Sequence, residues 1–102
     1  MKIDDCLRLE SPHGAVTSTV CRTLFLLEFG NVAMRFTRED LYEFIEFLDQ
    51  IELPDAADGY GEDERTVIIE SDRFGVILMF TVDEFAELYE LLVDVQIEDS
   101  RT

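Results

Sequence analysis

A strongly apolar run from Thr23 to Phe29 is turned by Gly30-Asn31 into a second run, Val32 to Phe36, and the spacing of apolar residues then changes. From Thr37 onward, Leu41, Phe44, Ile45, Leu48 and Ile51 recur at steps of three and four. Strand, turn, strand and amphipathic helix are the elements this pattern predicts. The same succession returns with Thr66–Asp72, a turn holding Arg73, Phe74 and Gly75, then Val76–Phe80 and a stripe of Phe85, Leu88, Tyr89 and Leu92. One extra residue in the second turn moves the offset between the two stretches from 43 at Arg22/Arg65 to 44 at Thr37/Thr81, a change that hairpins tolerate. A tandem ββα repeat is the economical reading, because one such unit cannot bury its apolar face alone.

Both helices are announced by their first residues. Thr37 and Thr81 stand where a hydroxyl accepts from the free N–H groups of a first turn, with Asp40 and Glu84 three positions on. Glu84 completes a capping box and Asp40 is a shorter version of one. Phe36 before one cap and Phe80 before the other, with Leu41 and Phe85 beyond, have the spacing of a hydrophobic staple.

Upstream, Ile3, Leu7 and Leu9 suggest a short edge strand around 5–10; Ser11-Pro12-His13-Gly14 has turn chemistry, and Ala15–Arg22 reads as its partner strand. The expected fold is α+β: an N-terminal β-hairpin followed by the tandem ββα repeat, giving a mostly antiparallel sheet with two acidic helices on one face. All 102 residues form a single domain, divided as hairpin 1–22, first unit 23–52, acidic loop 53–64 and second unit 65–97. Val95-Gln96-Ile97-Glu98 alternates briefly and fits either a frayed helix end or a short strand.

Strand parity bears most on function. If Val32, Met34 and Phe36, with Val76, Leu78 and Phe80, face the helices, then Ala33, Arg35, Ile77 and Met79 point away from them. A sheet with one wet face alternates apolar with polar, whereas the run VILMF reads as buried on both sides. Either the sheet curls over itself or something covers its second face, and a two-fold pair of chains is the simplest cover. Ala33, Arg35, Ile77 and Met79 are therefore the candidate interface.

Charge is unevenly placed along the chain. The net charge is −16, with eleven carboxylates and no Lys or Arg between Glu39 and Glu64, and seven more, again without a cation, between Asp83 and Asp99. The strands are close to neutral and the helices strongly negative. Such a field opposes nucleic-acid binding, which draws on Lys and Arg, and acidic helix faces do not suit a lipid surface. It also attracts basic proteins, so an acidic inhibitor or immunity-type protein binding a basic partner such as a nuclease is the alternative to a homodimer. Met1–Glu10 has no basic-then-apolar leader and no apolar run spans a bilayer, so a cytoplasmic protein is expected.

Candidate chemistry is sparse. Cys6, His13 and Cys21 are the whole soft-ligand inventory and stand singly rather than in close pairs, so no metal site is expected; the alternative is an enzyme or metal protein in which the N-terminal strands bring the three together with a carboxylate. No nucleophile has a base placed beside it by sequence, and Glu28 and Glu70, the carboxylates with the most apolar neighbours, are expected to project from sheet edges. Asp55, Asp58 and Glu62 miss the spacing of a calcium loop, and Gly30 and Gly75 are isolated turn glycines. No catalytic residue and no cofactor are expected. Tyr60, between two glycines in the acidic loop 53–64, is the candidate recognition residue.

Through His13-Gly14, Cys21, Phe29-Gly30-Asn31 and Phe36-Thr37, the chain resembles a small bacterial family of unknown function that joins a Gly-Asn hairpin to an acidic helix. Members can carry a Cys-x-x-Cys near this position; here Arg22, Thr23 and Leu24 follow Cys21, so the second cysteine is missing. The resemblance implies no activity. A noncatalytic protein-interaction domain, self-associating as a homodimer, is the function the residues favour.

Overall fold

A computed structural model of the chain describes residues 7–19, 22–51 and 67–101. Strands β1 (Arg8–Ser11), β2 (Gly14–Ser18), β3 (Leu24–Phe29) and β4 (Val32–Thr37) precede helix α1 (Arg38–Asp49); β5 (Val67–Ser71) and β6 (Val76–Phe80) precede helix α2 (Val82–Ser100). β1 to β4 form one antiparallel sheet in chain order, and β5 and β6 form a second, two-stranded antiparallel sheet. The fold is thus α+β, but with two sheets where one was expected. Alternation and turn residues specify which neighbours in the chain pair; they do not encode whether one hairpin's edge joins another's.

Side-chain packing, rather than a ladder, ties the second sheet to the first. Phe80 meets Phe29 edge-to-face at 5.7 Å between ring centroids, while Phe74, in the β5–β6 turn, meets Phe36 at 5.6 Å and Phe44 at 5.3 Å. Phe29 lies level with the start of β4 and Phe36 lies near its end. β6 therefore runs opposite to β4. Arg73 reinforces the attachment, bonding Asp40 at 2.5 Å and Glu43 at 2.7 Å on α1.

α1 packs over β3 and β4, and α2 over β1 and β2, with the helices in contact along their length. They run antiparallel: Tyr42 of α1 bonds Asp99 near the end of α2, and Asp49 at the end of α1 accepts from Tyr89 midway along it. The core between helices and sheet holds Val16, Phe25, Leu27, Phe36, Leu41, Phe44, Leu88 and Leu92, none more than 1% exposed. Each such side chain stabilises the fold by about 1.5–3 kcal/mol. Ser18, also buried, accepts from the Leu7 N–H at 2.7 Å and so leaves no unmet donor there.

Both caps form. Thr37 accepts from the Asp40 N–H, and Thr81 exchanges bonds with Glu84 in a full capping box. Of the two forms open to Val95–Glu98, helix is the one found, since α2 continues through it to Ser100; Val95 is fully buried, and the helical stripe outweighs the brief alternation. Three local expectations are corrected. β2 ends at Ser18, well before Arg22, whose φ of +54° belongs to the bend leading into β3. Glu28 lies on β3, flanked by β2 and β4, and projects from the sheet's face rather than from an edge. Ile51, placed in the α1 stripe by its spacing, follows the helix end.

Candidate interaction surface

The face of the first sheet turned away from the helices is built in rows by the strand register. Arg8 pairs with Thr17, Thr17 with Leu26 and Leu26 with Arg35, one straight row across four strands. Two residues along lies a second row: Glu10, Ala15, Glu28 and Ala33. One row carries two arginines and the other two glutamates. Leu24, 48% exposed, begins a third with Thr37. An open cavity of about 290 Å³ sits on this face between Thr17, Thr19, Leu24, Leu26 and Arg35.

On the second sheet the inward residues are Val67, Ile69 and Phe80, all buried, and parity sends Ile68, Ile77 and Met79 outward. Their exposures are 55%, 66% and 52%, high for side chains of this size. Ile68 and Met79 stand directly across from one another, as do Glu70 and Ile77.

Of the four candidate interface residues, Ala33 and Arg35 are exposed on β4, and Ile77 and Met79 are exposed on β6. They share an outward orientation but belong to different sheets. Ile68 and Leu24 are further exposed apolar residues that sequence reasoning passed over; the same period-2 count that singled out Ile77, started from Val67 or Phe25, would have found them. Tyr60 and the acidic loop 53–64 lie outside the described residues, as do Cys6 and Cys21.

Arg35 differs from the other described arginines. Arg8, Arg22, Arg38, Arg73 and Arg101 each lie within 4 Å of a carboxylate. Arg35 has no ion-pair partner among the described residues, in a chain with three times as many acids as bases.

Two polar clusters on the other side are tied to structure. Asp99, whose side chain is 2% exposed, takes bonds from Arg38 at 2.7 and 3.1 Å and from the Tyr42 hydroxyl at 2.8 Å, with Arg22 3.7 Å away. Burial alone would push its carboxyl up. The bonds from Arg38 and Tyr42, with the two arginine charges, outweigh burial and hold it below the usual carboxylate range. Beside this cluster, an open cavity of about 540 Å³ is lined by Arg38, Glu39, Tyr42, Glu43, Glu46 and Gln96.

In the second cluster, Glu87 of α2 accepts from the Ser11 hydroxyl at 2.6 Å and the His13 N–H at 2.7 Å, and lies 2.7 Å from His13 Nδ1. This bond to Glu87 raises the His13 pKa. His13, read from sequence as a solvated turn residue, is thus exposed but tethered. Among the described residues no group of three His, Cys, Asp or Glu is gathered as for a metal ion, and no helix is long and apolar enough to cross a membrane.

The sequence pattern of a family of unknown function, DUF6686, matches residues 8–101. No curated protein and no solved structure matches the chain.

Proposed function

We propose a role drawn from the chain's own surfaces, because the chain belongs to DUF6686, a family of unknown function, and takes no activity from that membership. The reading is a noncatalytic protein-interaction domain that self-associates as a homodimer through the strand faces turned away from the helices. One observation carries it: Ile68, Ile77 and Met79 are each more than half exposed on one face of a two-stranded sheet. At these exposures each side chain forfeits about half to two-thirds of the roughly 1.5–3 kcal/mol that full burial supplies, and contiguous exposed apolar surface marks contact sites.

The architecture behind the reading is a tandem ββα unit. β3-β4-α1 and β5-β6-α2 follow the same order and open their helices with a threonine cap in the same register. Acidic outer faces on both helices, with Glu39, Glu46, Asp49, Asp83, Glu90 and Asp94 exposed, leave the strand side as the approach of least repulsion between two copies carrying −16 each.

The test is sedimentation equilibrium of the purified chain at micromolar concentration, beside Ile77→Lys. Wild type is expected at twice the chain mass and Ile77→Lys at the chain mass, with unchanged circular dichroism. A wild-type monomer throughout refutes the reading. A second reading rests on the segregated charge: an acidic inhibitor whose helix face caps a basic protein such as a nuclease. Its mark is a partner recovered from cells whose binding falls steeply with salt; a salt-insensitive partner, or none, removes it.

A further inference from the structure

Resting on the self-association reading, we infer the orientation of the pair: two copies lie outer face to outer face, related by a two-fold axis in the contact plane, perpendicular to the strands and midway between the arginine and glutamate rows. Three observations carry it. The outer face of the first sheet is nearly neutral, with Arg8 and Arg35 in one row and Glu10 and Glu28 in the next. Arg35 is an exposed cation without a carboxylate partner among the described residues. On the second sheet, the outward residues Ile77 and Met79 of β6 are exposed as well.

Symmetry then decides between two arrangements. In both, the contact is isologous, the same patch on each chain. A two-fold axis parallel to the strands and midway across the sheet, between β2 and β3, lays Arg8 on the partner's Arg35, placing like charges together, which is destabilising in an interface. The axis perpendicular to the strands exchanges the two rows. It lays Arg8 on the partner's Glu10 and brings Arg35 beside the partner's Glu28, one strand spacing of about 4.8 Å away. The cation left over in the single chain gains its acid from the second copy. Because β6 runs opposite to β4, with Phe80 against Phe29 and Phe74 against Phe36, Met79 and Ile77 fall roughly level with Ala33 and Arg35. The same operation sets Ile77 against the partner's Met79. An acidic or strongly basic partner would find no matching field here; a second copy does.

The experiment is a charge exchange read by sedimentation equilibrium: wild type, Arg35→Glu, Glu28→Arg, and the double variant. Both positions are exposed, and circular dichroism confirms that each variant is folded. Each single change is expected to weaken dimerisation about tenfold or more, and the double change to recover most of the loss. A dimer indifferent to the single changes, or one the double change fails to rescue, overturns the orientation and leaves self-association standing. A wild-type chain that is monomeric at every concentration overturns both.

Discussion

Asp99 and Arg38, 61 residues apart in the chain, meet in a two-bond ion pair that joins the end of α2 to the start of α1. Arg22 brings the bend before β3 to the same carboxylate, and Tyr42 adds a phenol. A carboxylate this deeply buried is tolerable only because its oxygens are met. Asp99→Asn is expected to destabilise the chain at neutral pH by about 1–3 kcal/mol, less than the roughly 3–5 kcal/mol of a fully buried charge pair because Arg38 is half exposed. The folded carboxyl sits below its ordinary 3.8, so its contribution is complete above that value and disappears as pH falls through the folded value. Urea melts of wild type and variant should therefore differ at pH 7 and converge in strong acid.

His13, the chain's one histidine, gives a cleaner titration. Its bond and charge interaction with Glu87 raise its pKa above 6.5, so this stabilisation is present below 6.5 and is lost as pH rises through the folded value. Glu87 works in the opposite sense. Burial pushes it up, but the bonds from Ser11 and His13 bring it below 4.5, so its share is lost in acid. The β1–β2 turn should grip α2 most firmly between these limits. A ring-proton NMR titration should place His13 above 6.5 in wild type and lower it toward the ordinary value in Glu87→Gln.

Gly14 sits where β2 meets both β1 and β3, and a Cβ there would lie 2.6 Å from the Phe29 ring and 2.7 Å from the Glu28 carbonyl oxygen. Neither neighbour can yield cheaply, since one is backbone and the other is a core ring. Gly14→Ala is expected to cost about 1–3 kcal/mol, the usual penalty for overpacking, read as a lowered denaturation midpoint. Ala15→Gly, one residue on and outward-facing, should cost less.

Legibility in the sequence followed the range of the interaction. The Thr37 and Thr81 caps, the Gly30 turn and the Leu41–Leu48 stripe involve partners within a few residues, and each stands where spacing put it. The outward parity of Ala33, Arg35, Ile77 and Met79 was equally local, since period 2 needs only one inward anchor. Asp99 was opaque: among seven acids in that stretch, nothing marks the one that burial selects. The split into two sheets was opaque for the same reason, because it depends on how Phe80 and Phe74 pack against Phe29, Phe36 and Phe44 rather than on the pattern along any one strand.

Self-association through the outer faces puts those faces in contact, and a filtered NOE experiment on an equal mixture of isotope-labelled and unlabelled chains observes that contact directly. Cross-peaks between copies are predicted from the methyl groups of Ile68 and Ile77, with Met79 of the other chain among their partners. Cross-peaks that instead join helix residues, or none at all in a concentrated sample, would contradict it.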